Sequence, residues 1–137
     1  MSEFSVVREV PMSAEEAFTR LTDWPRHAEH VPLTTITAEE HWLVARTGLG
    51  PLGVDDPMEV VSWDPPRHCR LEKRGRVLTG WAEVDVTPLV AISRADRCRV
   101  QWREVAHVSG VPRVLGGIEA KLGQVLFSRV VDGLLRA

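Results

Sequence analysis

Two runs in the second half of the chain alternate between apolar and polar residues, and they constrain the fold more than any other feature. They cover residues 76–87 and 97–105, and each keeps one face mainly apolar. Such alternation is typical of a strand that buries one face. Both runs are longer than the usual strand of about five or six residues. Long antiparallel strands suit a sheet that curls, so we expect a curved sheet that wraps around another element.

The C-terminal segment supplies that element. Residues 111–135 predict an amphipathic helix, whose apolar stripe comprises Leu115, Ile118, Leu122, Val125, Leu126, Val130 and Leu134. A helix of about 24 residues is about 36 Å long, enough to cross a small domain. The segment also contains Gly116, Gly117, Gly123 and Gly133, and each costs up to about 1 kcal/mol in a helix interior. Close packing on the sheet, room for a ligand and a kink all remain open as explanations.

The first third of the chain predicts one strand and two short helices. Residues 3–10 alternate like a half-buried strand. Ser13 and Glu16 have the spacing of a capping box, in which each side chain satisfies a backbone N–H of the first turn. A second short helix is expected from Asp23 to about residue 31. Further strands are predicted at 33–39, 41–47, 58–63 and 67–74, with GLGPLG and the residues after it as a loop.

Composition excludes several classes of protein. The 19 acidic and 17 basic residues give a net charge of −2, and the arginines are scattered, so we expect no nucleic-acid partner. No run approaches the ~20 apolar residues of a membrane span. The first residues lack the basic and apolar regions of a secretory signal, so a cytoplasmic protein is the expectation. Cys69 and Cys98 form neither a disulfide framework nor a metal motif and are expected to be buried thiols.

The order of strand, two helices, six strands and long helix resembles the SRPBCC superfamily, which includes START, Bet v 1-like and polyketide cyclase/dehydrase proteins. Three parts of the chain carry the resemblance: VVREVPMSAEEAFTRLTDWPRHAEHVP, MEVVSWDPPRHCRLEK, and the pair RVLTGWAEVDVTP and RCRVQWREVAHV. The chain is similar to the small bacterial members of that superfamily. The resemblance implies an α+β helix-grip fold over residues 1–137 as a single domain. In that fold, a curved seven-stranded antiparallel sheet wraps around a long C-terminal helix, and two short helices lie between strands 1 and 2.

The resemblance implies a cavity between the sheet and the last helix. The first functional hypothesis is therefore binding of a small hydrophobic ligand: a lipid, an isoprenoid or an aromatic polyketide-like molecule. The alternative is an enzyme of the polyketide cyclase/dehydratase type. The chain contains no tyrosine, a usual acid in cyclase pockets of the superfamily, so acid–base chemistry is expected to fall to His, Asp, Glu or Arg. We expect no cofactor, and either a monomer or a weak homodimer.

Seven residues are the candidate ligand contacts: Trp42, Arg46, Met58, Trp102, His107, Ile118 and Leu122. Aromatic and aliphatic side chains suit the walls of an apolar pocket. Arg46 shares a strand face with Trp42. If that face is concave, the guanidinium lies in the cavity and binds a carboxylate or a carbonyl; if it is convex, the side chain is solvated. His107 is the candidate acid or base near the cavity mouth.

Other motifs carry weaker hypotheses. His27 and His30 have a spacing that lets two imidazoles share a helix face, but a zinc site needs three or four ligands and no further one is evident, so we expect no metal. The GLGPLG segment lacks the Lys-Ser/Thr of a phosphate-binding loop and is expected to be a connection at the cavity mouth. A third functional hypothesis is a protein-interaction module that presents Trp63 or Trp81 to another chain.

Overall fold

A single antiparallel sheet forms most of the molecule. The computed structural model describes residues 3–89 and 96–136. Its strands are β1 (Glu3–Val10), β2 (Thr34–Glu39), β3 (Trp42–Thr47), β4 (Val54–Asp64), β5 (His68–Lys73), β6 (Leu78–Leu89) and β7 (Arg97–Val108). They lie side by side in the order β1-β7-β6-β5-β4-β3-β2. Neighbours along the chain therefore pair, except that β1 joins the far edge beside β7. The curved sheet confirms the predicted architecture.

Three helices complete the fold: α1 (Ala14–Leu21), α2 (Trp24–His27) and α3 (Gly116–Leu134). Short 3₁₀ turns cover Ala28–His30, Gly50–Leu52 and Arg113–Leu115. The Ser13 hydroxyl accepts the Glu16 N–H at 3.1 Å, which is one half of the predicted capping box. The reciprocal bond is absent among the described residues because the Glu16 carboxylate pairs with Arg20 instead. In the described part of the chain, none of the helices is both long enough and apolar enough to cross a membrane.

Several strand and helix boundaries differ from the predicted ones, and two of these differences affect the site. Strand β4 begins at Val54 rather than residue 58, because its first residues pair with the end of β3. Asp56 therefore lies in the sheet and not in a loop. Strand β7 continues to Val108 in register with β6, so Glu104 is well inside it. Helix α3 begins at Gly116, after a 3₁₀ turn, rather than at residue 111.

Helix α3 packs most tightly on the sheet through its C-terminal half. Val130 and Leu134 are fully buried, whereas Ile118 and Leu122 on the same predicted stripe are 58% and 66% exposed. The contacts of α3 with the sheet are made mainly with β1 and β7. The N-terminal half of the helix therefore stands away from the sheet and leaves space beneath it.

Two glycines of α3 are explained by close packing, one of the three explanations left open by the sequence. A Cβ atom at Gly123 would overlap the Phe4 ring, and one at Gly133 would overlap the His30 ring. Gly117 has open space where its Cβ would be. The packing of two aromatic rings thus offsets the helix-propensity cost at two of the four positions.

Alanine substitutions at Gly123 and Gly117 should separate the effect of packing from the effect of helix propensity. We expect Gly123→Ala to lower the free energy of unfolding by about 1–3 kcal/mol, because the new methyl group overpacks the contact with Phe4. The matched control is Gly117→Ala, which adds the same methyl group in open space and should raise it by up to about 1 kcal/mol. Urea denaturation of both variants measures the difference. Equal effects at the two positions would contradict the packing explanation.

Candidate ligand cavity

A cavity of about 390 Å³ lies between the sheet and the N-terminal half of α3. Most of its walls are aliphatic or aromatic: Phe4, Trp24, Val31, Ile36, Leu43, Ala45, Met58, Leu71, Leu78, Ala82, Trp102, Ala106, Val108, Leu122, Leu126, Phe127 and Val130. Leu122 both lines the cavity and is largely exposed, so the space communicates with solvent beside α3. The geometry suits a small, mainly apolar molecule.

Stacked rings form one wall of the cavity. His27 lies between Trp24 and Trp102, with ring centroids 5.4 Å from each. Trp102 in turn stacks on Phe127 at 5.3 Å, and Phe127 contacts Phe4 at 5.8 Å. The wall joins α2, β7, α3 and β1, so these rings fix the position of the helices relative to the sheet.

His27 is held in its neutral form inside this wall. Burial lowers the pKa of His27 to about 4, against the opposing effect of a hydrogen bond with the Leu21 carbonyl. Because a carbonyl only accepts, His27 Nε2–H donates this bond, over 2.7 Å. The second histidine of the predicted pair, His30, packs against Gly133. No cluster of three or more potential metal ligands exists within residues 3–89 and 96–136.

The lining also contains a buried ion pair. Lys73 Nζ donates to Asp56 Oδ2 over 2.6 Å, and the two side chains are only 7% and 10% exposed. Asp56 Oδ1 is buried and has no hydrogen-bond partner among the described residues. An ion pair removed from water in this way pays a large desolvation penalty, and an unpaired buried oxygen adds to it. Stability alone therefore does not account for the pair.

Glu104 is the third ionisable group of the lining, and it is 3% exposed. Trp102 Nε1–H donates to its Oε1 over 3.0 Å. Burial raises the pKa of Glu104, and the nearby Asp56 raises it further, while Lys73 and the Trp102 bond oppose the shift. Glu104, Asp56 and Lys73 all line the same cavity. We call Asp56, Lys73, Glu104 and the Trp102 indole N–H the buried polar cluster.

The alternation of the strands brings the buried polar cluster together. Side chains two residues apart share a face, so Lys73 follows the buried Leu71 on β5, and Glu104 follows Trp102 on β7. Strand β6 lies between them and contributes only small residues at this level, Gly80 and Ala82. Gly80 has a φ of +132°, and a Cβ atom there would overlap the Val105 carbonyl. The backbone thus requires glycine at this point, which also leaves the space beside the cluster free.

A second polar contact closes the end of the cavity near the start of α3. Glu119 accepts the Val108 N–H at 3.0 Å and His107 Nδ1–H at 2.9 Å. These two bonds lower the pKa of Glu119. The contact ties α3 to the end of β7 at the place where the helix has few other contacts.

Three of the seven predicted contacts lie in the cavity wall: Met58, Trp102 and Leu122. The other four, Trp42, Arg46, His107 and Ile118, do not line it. His107 lies behind Glu119, and Ile118 points to solvent. Met58, Trp102 and Leu122 stay predicted ligand contacts, whereas the structure places the other four side chains outside the cavity wall.

Arg46 lies on the convex face of β3, which resolves the alternative that the sequence left open. Its guanidinium pairs with Asp55 at 2.8 Å and donates to the Gly50 carbonyl at 2.7 Å. The concave residues of β3 are Leu43, Ala45 and Thr47. The prediction was misled because Trp42 and Val44 make the outer face of this strand look as apolar as the inner one.

None of the three ionisable members of the buried polar cluster is among the seven candidate contacts predicted from the sequence. The signal for two of them was a charged residue on the apolar side of an alternating strand: Lys73 after Leu71, and Glu104 after Trp102. Lysine was also absent from the residue types considered for acid–base chemistry. Asp56 had no such signal, because the segment before residue 58 reads as a loop.

The other sequence motifs lie away from the cavity. Cys69 and Cys98 are buried free thiols, and burial raises the pKa of Cys69 to about 12. The GLGPLG segment forms a 3₁₀ turn that packs over Arg46. Trp81 is covered by the guanidinium of Arg70, 4.7 Å from the ring centroid.

Comparison with known proteins agrees with this geometry. The model of the family described as polyketide cyclase / dehydrase and lipid transport matches residues 1–137. The chain belongs to this family. No curated protein matches the sequence significantly.

Solved structures from this fold group superimpose over nearly the whole chain. Protein XoxI from Bacillus cereus is 12% identical, with 99% of this chain and 94% of that chain covered and a TM-score of 0.73. A START superfamily protein from Mycobacterium smegmatis is 10% identical, with 97% and 96% covered and a TM-score of 0.68. Norcoclaurine synthase from Thalictrum flavum, solved with dopamine and hydroxybenzaldehyde, is 15% identical, with 97% and 85% covered and a TM-score of 0.61. At these identities the likeness shows a shared fold.

The buried neutral His27 predicts a pH dependence of stability. The unfolded chain binds a proton on this residue near pH 6.5, whereas the folded chain binds it only near pH 4. Between these values the unfolded state holds more protons, so the free energy of unfolding falls as the pH falls from 6.5 to 4. The His27 contribution to this fall is about 3 kcal/mol.

The measurement is urea denaturation at several pH values between 4 and 7. We expect His27→Gln to flatten the profile, because glutamine keeps a donor for the Leu21 carbonyl and does not titrate. His41→Gln at an exposed position is the control and should keep the slope. A His27→Gln profile parallel to that of the unmodified protein would refute the assignment.

Proposed function

We propose that this protein binds a small hydrophobic molecule in the cavity between the sheet and α3. The observation that carries the proposal is the cavity of about 390 Å³ with mainly aliphatic and aromatic walls. A monomeric core of this kind normally closes to interior packing density, so a void of several side-chain volumes has an energetic cost. Occupation by a ligand offsets that cost. The family description, which includes lipid transport, supports the same function.

The volume narrows the class of ligand. Ligand pockets in proteins span about 300–1,000 Å³, and this cavity lies near the lower end of that range. An isoprenoid or an aromatic polyketide-like molecule fits this space better than a lipid with two long acyl chains. The stacked wall of Trp24, Trp102 and Phe127 favours a flat, aromatic ligand for the same reason.

An uncharged fluorescent probe, N-phenyl-1-naphthylamine, tests the proposal directly. We expect its emission to rise on binding, and Ala45→Phe to weaken binding about tenfold or more, because the added ring occupies the cavity at a cost of about 1.4 kcal/mol or more. The matched control is Val44→Phe, which places the same ring on the convex face of β3. If the probe does not bind, or if both variants bind it equally, the cavity is not the binding site.

A second candidate function is an enzyme of the cyclase or dehydratase type. The observation that favours it is the convergence of Asp56, Lys73 and Glu104 on one apolar cavity. Ionisable groups that converge in an apolar cavity are typical of sites for acid–base catalysis. Both reactions begin with removal of a proton from carbon beside a carbonyl. In this site, Asp56 is the candidate base, and Glu104 or Lys73 is the candidate proton donor to the carbonyl oxygen.

Exchange of α-protons of 2-tetralone in D₂O, followed by NMR, tests this chemistry without knowledge of the substrate. The C–H proton passes to Asp56 while the carbonyl oxygen receives a proton from Glu104 or Lys73. The proton on Asp56 then exchanges with D₂O. The reverse steps return a deuteron from Asp56 to carbon and the proton on the enol oxygen to Glu104 or Lys73. We expect Asp56→Asn to slow the catalysed exchange by about 100-fold and Arg46→Gln to leave it unchanged. If the protein does not exchange the α-protons faster than buffer alone, the enzyme hypothesis is contradicted. The ligand-binding hypothesis is not affected by that result.

A further inference from the structure

The hydrogen bonds inside the buried polar cluster are incomplete. Asp56 Oδ2 is taken by Lys73, but Oδ1 has no donor among the described residues. The Glu104 Oε1 atom is taken by Trp102, and no hydrogen bond of the described residues uses Oε2. Lys73 Nζ carries three protons; it donates to Asp56 Oδ2, and the Nζ atom lies 3.7 Å from the Met58 sulfur. Asp56 Oδ1 therefore lacks a donor, while one N–H of Lys73 has no acceptor among the described residues.

The charges of the cluster nearly cancel. Lys73 and Asp56 neutralise each other in a pair that is about nine-tenths buried. Burial favours the uncharged form of Glu104, and an uncharged carboxyl group is itself a hydrogen-bond donor. A ligand with a net charge would therefore enter a low-dielectric site without a free counter-charge, which is strongly unfavourable.

We propose that the buried polar cluster recognises an uncharged hydroxyl group on the apolar ligand, such as that of a phenol or an alcohol. The hydroxyl donates to Asp56 Oδ1 and accepts from Lys73 Nζ–H or the Glu104 carboxyl group. This inference rests on the proposed function, because it assigns the ligand class of the same cavity. It also orients the ligand, with the hydroxyl at the buried wall and the apolar body towards the exposed Leu122.

Other polar groups on the ligand would satisfy the hydrogen bonds and charges of the cluster less completely than a hydroxyl group. A carbonyl accepts from Lys73 or Glu104 but leaves Asp56 Oδ1 without a donor. A carboxylate adds a negative charge beside Asp56, and an ammonium group adds a positive charge beside Lys73. Only a group that both donates and accepts, and that carries no charge, completes the set without a new unpaired charge.

Four naphthalene compounds that share one ring system test the inference: 2-naphthol, 2-methylnaphthalene, 2-naphthoate and 2-naphthylmethylammonium. Their dissociation constants are measured at pH 7 by displacement of N-phenyl-1-naphthylamine from the full chain. Because the compounds differ in hydrophobicity, the quantity compared is the ratio of the 2-naphthol and 2-methylnaphthalene constants in each variant. We expect Asp56→Asn to reduce the preference for 2-naphthol by about three- to tenfold, because a neutral amide oxygen is a weaker acceptor than a carboxylate. Arg46→Gln, outside the cavity, should keep it.

The outcomes of this displacement experiment test the inference about the hydroxyl group and the proposed function separately. The two charged compounds should bind more weakly than 2-naphthol to the unmodified protein. Tightest binding of the ammonium compound would mean that the cluster is negative, and tightest binding of 2-naphthoate that it is positive; both overturn the inference. Equal preference for the hydroxyl in all variants also overturns it, although the apolar site would stand. If the probe does not bind to the unmodified protein, the proposed function itself fails. If the probe binds but 2-naphthol does not displace it, the inference about the hydroxyl group fails alone.

Discussion

The incomplete packing of α3 on the sheet determines most of what this molecule can do. Its C-terminal half is anchored by Val130, Val131 and Leu134, which are at most 1% exposed. Its N-terminal half has no equivalent anchor, and its main described link to the sheet is the bond set of Glu119 with β7. The difference between the two halves creates the cavity. It also explains why a helix with a continuous apolar stripe leaves Ile118, Leu122 and Val125 facing solvent.

The cavity contains an arrangement that apolar packing alone does not require. A buried ion pair between Lys73 and Asp56 is weak evidence of stabilisation, because desolvation of the two charges is costly. Three apolar residues in these positions would remove that cost and fill part of the space. The placement of Asp56, Lys73 and Glu104 on three different strands, beside the small residues of β6, therefore points to recognition or chemistry at this wall. The neutral His27 lies in the adjacent aromatic wall and makes the same region sensitive to acid.

The fold was predictable because each element has a strong local pattern, whereas the site depends on which strand face is concave. The alternation of β6 and β7, the Ser13 N-cap and the helical stripe of α3 predicted these elements, and the resemblance of their order to the SRPBCC superfamily implied the architecture. On β3 both faces carry apolar residues, so Arg46 was placed as a cavity candidate although Leu43 and Ala45 line the cavity. Lys73 and Glu104 interrupt apolar faces and were visible in principle. Asp56 was not, since its strand continues beyond the predicted start only through pairing with β3.

A crystal structure of the protein with bound 2-naphthol tests the central claim most directly. The account predicts the ring among Trp102, Phe127 and Leu71, beneath the N-terminal half of α3. It places the hydroxyl oxygen about 2.7–3.2 Å from Lys73 Nζ or a carboxyl oxygen of the buried polar cluster. A structure with α3 closed onto the sheet and no space beneath it, or with the ligand bound only on the outer surface, would contradict the account.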